Sequence, residues 1–136
     1  MKVWVAALAL AIALVALAGC TSNGAAQQKA AQAQTTPVRL EFLYAPWCGH
    51  CTAMKPVVEK VASEFPGLVD VKMVDEAERK TDPAVAALYQ KYKAEGKFGG
   101  FPTIVANGND SLVGERTEVE FRQWLCGQFD KKPAGC

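Results

Sequence analysis

The chain opens on an unbroken apolar run, Val3 to Ala18, behind one positive residue, Lys2. That run is 16 residues long, shorter than a membrane-spanning helix needs, which is about 20. A basic start, an apolar centre and small residues at the end predict a secretory leader over residues 1–19. The competing reading is an anchor helix that stays in place. The pattern then turns polar. Thr21 to Pro37 has no aromatic and no large aliphatic side chain, so it cannot bury enough apolar surface to offset ordering. Residues 20–37 are therefore expected to be a flexible tether, long enough to span roughly 20–25 Å as a coil.

Periodic patterning begins at Val38. "VRLEFLYA" is rich in strand formers and reads as a buried strand. Met54, Val57, Val58, Val61, Ala62 and Phe65 recur at helical spacing, with Pro56 expected to kink that helix and Pro66-Gly67 to end it. "LVDVKMV" is a second strand, and the charges of "EAERKTD" behind it read as a solvated face. Asp82-Pro83 starts a helix that runs to Gly96. A Gly-rich approach and Pro102 lead into a third strand, Asn107-Gly108 signals a hairpin, and "SLVG" returns. Thr117 and Glu120 form a capping box for a last helix with Phe121, Trp124, Leu125 and Phe129 on one face. A parallel crossover followed by a hairpin predicts an α/β domain over residues 38–130, with a mixed four-stranded sheet flanked by helices. Residues 131–136 form a C-terminal tail.

Charge adds little to this picture. Loss of Lys2 with the leader leaves 14 basic against 14 acidic residues, a balance that offers nothing to nucleic acid. Cysteine adds more. The chain has five, Cys20, Cys48, Cys51, Cys126 and Cys136, and a leader-bearing protein meets an oxidising space where disulfides persist. Cys126 falls on an outward position of the last helix, and Cys136 can fold back to it as a structural disulfide, with a free or partner-directed thiol as the alternative.

"APWCGHC", residues 45–51, carries the chemistry. Cys48 falls where the first strand ends and the helix begins, facing unpaired N–H groups and the positive end of the helix dipole. Cys51 lies one turn further in. Disulfide exchange needs one accessible, ionisable thiol and a second behind it that releases mixed disulfides, so Cys48 attacks and Cys51 resolves. Gly49 and His50, between the thiols, tune the pair. An imidazole there favours thiolate over disulfide and makes the couple a better oxidant. A zinc clip would need two more ligands, and Cys126, Cys136 and the single histidine have the wrong spacing, so no metal is expected.

Two resemblances extend this reading. Leu17-Ala18-Gly19-Cys20 resembles the lipobox of bacterial lipoprotein signals, which implies cleavage before Cys20 and lipidation of its thiol. "APWCGHC" resembles the active site of the protein disulfide isomerase family within the thioredoxin superfamily. Pro56, five residues after Cys51, "GFPT" at 100–103, Gly114 and "TEVEFRQWLCGQF" carry the likeness along the chain. It implies a thioredoxin-like fold without that fold's extra N-terminal strand and helix. It also implies a cis Pro102 packed against the cysteines, a Phe101 backbone that pairs with an extended substrate, and Trp47 as a flat substrate contact. The family carries a buried acid six residues before the nucleophile. Here the candidate proton acceptor, Glu41, stands seven before Cys48 because Leu43 is inserted. The family's lysine partner aligns with Met73, and Lys72 is also one residue off. A one-residue slip turns a strand side chain to the other face unless a bulge absorbs it.

The expected protein is a thiol–disulfide oxidoreductase without cofactor, lipid-anchored through Cys20 on the extracytoplasmic side of a membrane. Its expected partners are protein thiols and disulfides and a membrane or periplasmic redox partner. The alternatives are a dedicated reductase, as in cytochrome assembly or repair, and a metal-binding or adaptor module.

Overall fold

The computed structural model describes residues 36–136. The leader, Cys20 with its lipidation, and all of the tether before Thr36 lie outside those residues. The elements are β1 (Val38–Tyr44), α1 (Gly49–Ser63), β2 (Val69–Asp75), a 3-10 helix (Glu76–Lys80), α2 (Pro83–Ala94), β3 (Thr103–Ala106), β4 (Asp110–Val113) and α3 (Glu118–Cys126). The sheet runs β2-β1-β3-β4, with β1 parallel to β2 and antiparallel to β3, and β3 antiparallel to β4. This is a thioredoxin-like α/β fold with the element order the periodicity predicts.

Alternation along β1 sorts the chain into two cores. Val38, Leu40 and Phe42 meet Met54, Val58 and Val61 of α1 and Phe121 and Leu125 of α3 on one face. Leu43 meets Val85, Tyr89 and Tyr92 of α2 on the other. Each of these larger side chains gains roughly 1.5–3 kcal/mol from full burial, so β1 is the strand that both layers grip. The 3-10 helix buries nothing, as its charges indicate.

Local signals set the element ends. Asp82 accepts from Ala84 N at 2.7 Å with Pro83 in the first turn of α2. Thr117 and Glu120 cap α3 reciprocally. Asn107 and Gly108 turn the β3–β4 hairpin with φ of 52° and 68°, the left-handed pair of a type I′ turn.

Trp124 shares the inward face of α3 with Phe121 and Leu125 as expected, stacked on Phe121 with 6.0 Å between ring centroids, and its Nε1 donates to Asp110 Oδ2 at 3.0 Å. An indole needs a partner for its N–H, and β4 supplies one at the rim. Cys126 is buried, not outward, because the chain turns back and Cys136 bonds to it, with 5.5 Å between the Cα atoms.

Candidate active site

β1 delivers Ala45 and the turn that follows to the C-terminal end of the sheet, where α1 starts. Cys48 is the N-cap of α1, in extended conformation, and its Sγ accepts the Cys51 N–H at 3.2 Å. The free N–H at a helix start usually seeks a Ser, Thr, Asp or Asn oxygen; here it finds sulfur. Both thiols are free and buried, Cys48 at 7% exposed and Cys51 at 2%, in a small cluster with Ala45 that Tyr44 and Phe101 close. Burial, and then its hydrogen bond to Cys48, push the Cys51 thiol up to about 11. The outer sulfur is thus the one at the helix mouth, and the inner one is held protonated.

The loop before β3 forms the facing wall. The Phe101–Pro102 bond is cis and Pro102 is buried, with its carbonyl accepting Gly114 N–H at 2.8 Å. Gly100 has φ of 136°, open only to glycine, and a Cβ on Gly99 would meet Val113 at 3.3 Å, so both glycines let the backbone run close. Phe101 packs on the cysteine cluster, and neither its N–H nor its C=O is bonded among the described residues. Trp47 stands 74% exposed with its ring edge-on to Phe101, 5.7 Å between centroids.

Glu41 is the correction. The β1–β2 ladder runs in register from Val38–Val69 to Tyr44–Asp75 with no bulge, so the slip is not absorbed. Glu41 projects to the α2 side, where its carboxylate accepts from Tyr92 Oη, and Phe42 occupies the position six before Cys48. Lys72 is Glu41's ladder partner, so acid and lysine have moved together to the face away from Cys51. Glu41 is therefore not the proton acceptor for Cys51.

The site also holds a residue that sequence reading missed. His50 Nδ1 lies 2.8 Å from Glu115 Oε2, across 65 positions of chain. Topology carries the signal: β3 runs away from the dithiol, β4 returns antiparallel, and whatever follows Val113 must arrive beside α1's first turn. Gly49 opens that turn with free space around its Cα. Among the described residues, no three His, Cys, Asp or Glu side chains group as metal ligands.

A strand–helix junction that presents a dithiol beside a cis proline defines a redox-type domain on a four-stranded sheet. Comparison with known proteins agrees in kind: the thioredoxin family model, described as "Thioredoxin", matches residues 20–126. The chain belongs to the thioredoxin family of thiol–disulfide oxidoreductases. It is 36% identical over 81 residues to a thioredoxin of Methanocaldococcus jannaschii, covering 60% of this chain and 84% of that one. It is 41% identical over 82 residues to a probable protein disulfide-isomerase A6 of Medicago sativa, covering 60% of this chain and 20% of that one. A putative protein disulfide-isomerase of Dictyostelium discoideum is 35% identical over 81 residues, 60% of this chain and 17% of its own length. The chain thus spans a fifth or less of the length of these isomerase relatives. A chain from the crystal structure of chloroplastic thioredoxin z aligns over 74% of this chain and 85% of its own, at 24% identity and a TM-score of 0.48.

Proposed function

We propose that the protein exchanges thiols and disulfides with extracytoplasmic proteins through Cys48 and Cys51 while tethered to a membrane by lipid on Cys20. The observation that carries the redox part is the N-cap geometry, with Cys48 Sγ accepting Cys51 N–H at 3.2 Å and the Cys51 thiol buried behind it. Negative charge that develops on Cys48 during exchange meets that N–H and the positive end of α1.

In the oxidising direction a substrate thiolate attacks Cys48 of the Cys48–Cys51 disulfide. Cys51 leaves with the electron pair, and a second substrate thiolate then displaces Cys48 to give the substrate's disulfide and a reduced enzyme. In the reducing direction Cys48 attacks the substrate disulfide, and Cys51 displaces the substrate sulfur from the mixed disulfide. An extended substrate segment adds to the free backbone groups of Phe101, and Trp47 offers it a flat apolar face.

Chain direction sets where such a tether would join the domain. Thr36 is bonded to Asp130 through N and Oγ1 at 3.2 and 3.0 Å, at the start of β1. β1 then runs about 20 Å to the dithiol end. A lipid on Cys20 would therefore be joined to the domain at the pole opposite Cys48.

The test is trapping in cells. A Cys51→Ala variant should retain extracytoplasmic proteins as mixed disulfides on Cys48, and Cys20→Ser should move the protein from membrane to soluble fractions. Capture of nothing by Cys51→Ala, or unchanged fractionation of Cys20→Ser, would remove the corresponding half of the proposal. Direction of electron flow follows from the reduction potential: near −270 mV favours reduction, and about −120 to −180 mV favours oxidation or isomerisation.

A further inference from the structure

Every exchange at the dithiol moves a proton. When a thiol R–SH opens the Cys48–Cys51 disulfide, the R–S–Cys48 bond forms, the Cys48–Cys51 bond breaks, and the proton of R–SH ends on Cys51. Among the described residues, no carboxylate acts on Cys51 to carry it. Phe42 fills the space on the α1 side of β1, and Glu41 is engaged with Tyr92 on the other face. Burial pushes the Cys51 thiol up to about 11, so it departs poorly as a thiolate and needs that proton.

On the outer side one base stands in α1's first turn, between Cys48 and Cys51 in the sequence. His50 is exposed, and its Nδ1 lies 2.8 Å from Glu115 Oε2. An ionised carboxylate only accepts hydrogen bonds, so Nδ1 must carry the hydrogen. The neutral ring then keeps its lone pair on Nε2. No acidic residue lies in α1's own first turn, so the carboxylate has to come from the β4–α3 loop. Beside it Arg116 Nη1 donates to the Glu115 carbonyl at 2.8 Å and holds the loop.

We propose that Glu115 is a positioning residue that fixes His50 in the Nδ1–H form, making Nε2 the relay that takes the proton of an arriving thiol and returns it to Cys51. The relay acts directly or through one water and runs in reverse when Cys51 resolves a mixed disulfide. It rests on the Cys48–Cys51 exchange proposed above.

His50 is the chain's only histidine, so its ring nitrogens give an unobstructed nuclear magnetic resonance signature. In the full-length protein, at a pH where the ring is neutral, the Nδ1–H form should dominate, and Glu115→Ala should shift the ring toward Nε2–H. The same variant should slow the opening of the oxidised protein by reduced glutathione about threefold to fivefold, the share expected of an exposed pair. In a His50→Gln background, Glu115→Ala should add nothing. An Nε2–H ring in the unaltered protein, an unchanged rate in Glu115→Ala, or an equal slowing with and without His50 would each overturn the relay. If the unaltered protein fails to exchange with glutathione at all, the dithiol reading itself fails and takes the relay with it. Normal exchange that ignores Glu115 overturns the relay alone.

Discussion

Tyr92 of α2 donates its phenol hydrogen to the Glu41 carboxylate of β1, on the sheet face turned away from Cys51. The bond gives a half-buried acid a structural task. Tyr92→Phe leaves that carboxylate without its donor and should cost roughly 1–2 kcal/mol, toward the lower end for a bond to a charged group. The urea midpoint should fall at constant slope. Glu41→Gln should leave the rate at which Cys51 resolves a glutathione adduct unchanged within about twofold, because the group does not face the cysteines.

The Cys51 thiol gives the reduced protein a pH dependence with a definite sign. Its value is raised from 9.0 to about 11, first by burial and then by its bond to Cys48. The folded chain keeps a proton that the unfolded chain releases, so the contribution is complete below about pH 9 and is lost as pH rises toward 11. Tyr89 and Tyr92 are raised by burial as well and act in the same direction at higher pH. They are shared with a Cys51→Ala variant and cancel in the comparison. Denaturant titrations from pH 8 to 11 should show the unaltered reduced protein losing stability faster than Cys51→Ala.

Cys126 and Cys136 lie 10 positions apart, and their bond closes a short loop. Replacing both with serine should cost about 2–3 kcal/mol in the loop-entropy view. The bond lies at the end of α3 remote from Glu115 and the dithiol, so the rate of exchange with glutathione should not change. A matched pair of unfolding curves and exchange rates checks both halves.

Trp47 is exposed apart from its edge contact with Phe101. Trp47→Ala should cost no more than about 0.5–1.5 kcal/mol of stability, the range for such an aromatic pair. Its larger effect should be on reaction with an unfolded protein disulfide, where kcat/KM should fall several-fold through KM. Reaction with glutathione, too small to use the ring, should be nearly unaffected.

Much of this was legible in sequence. The apolar periods of β1, α1 and α3 identify the elements because one buried face imposes period two or 3.6 regardless of distant contacts. The placement of Cys48 at the mouth of α1 and of Cys51 in its first turn was legible too, because it follows from the strand–helix junction. Glu41 was not legible in the same way. An inserted Leu43 can be absorbed by a bulge or can turn the acid to the other face, and only the unbroken β1–β2 register decides. Cys126 looked outward on the helix alone and is covered by a tail that no local period encodes. Glu115 approaches His50 because β4 returns to the dithiol end, a property of topology rather than of either segment.

The most direct measurement follows single glutathione adducts by mass spectrometry after the reduced protein meets oxidised glutathione. With Cys51→Ala, one adduct should build up on Cys48 and persist. In the unaltered protein it should vanish as Cys51 closes the internal disulfide and releases glutathione. Cys48→Ala should form its adduct at least about tenfold more slowly, because a buried, protonated Cys51 is a poor nucleophile. Capture by Cys48→Ala as fast as by Cys51→Ala would contradict the assignment of Cys48 as the attacking sulfur and Cys51 as the resolving one.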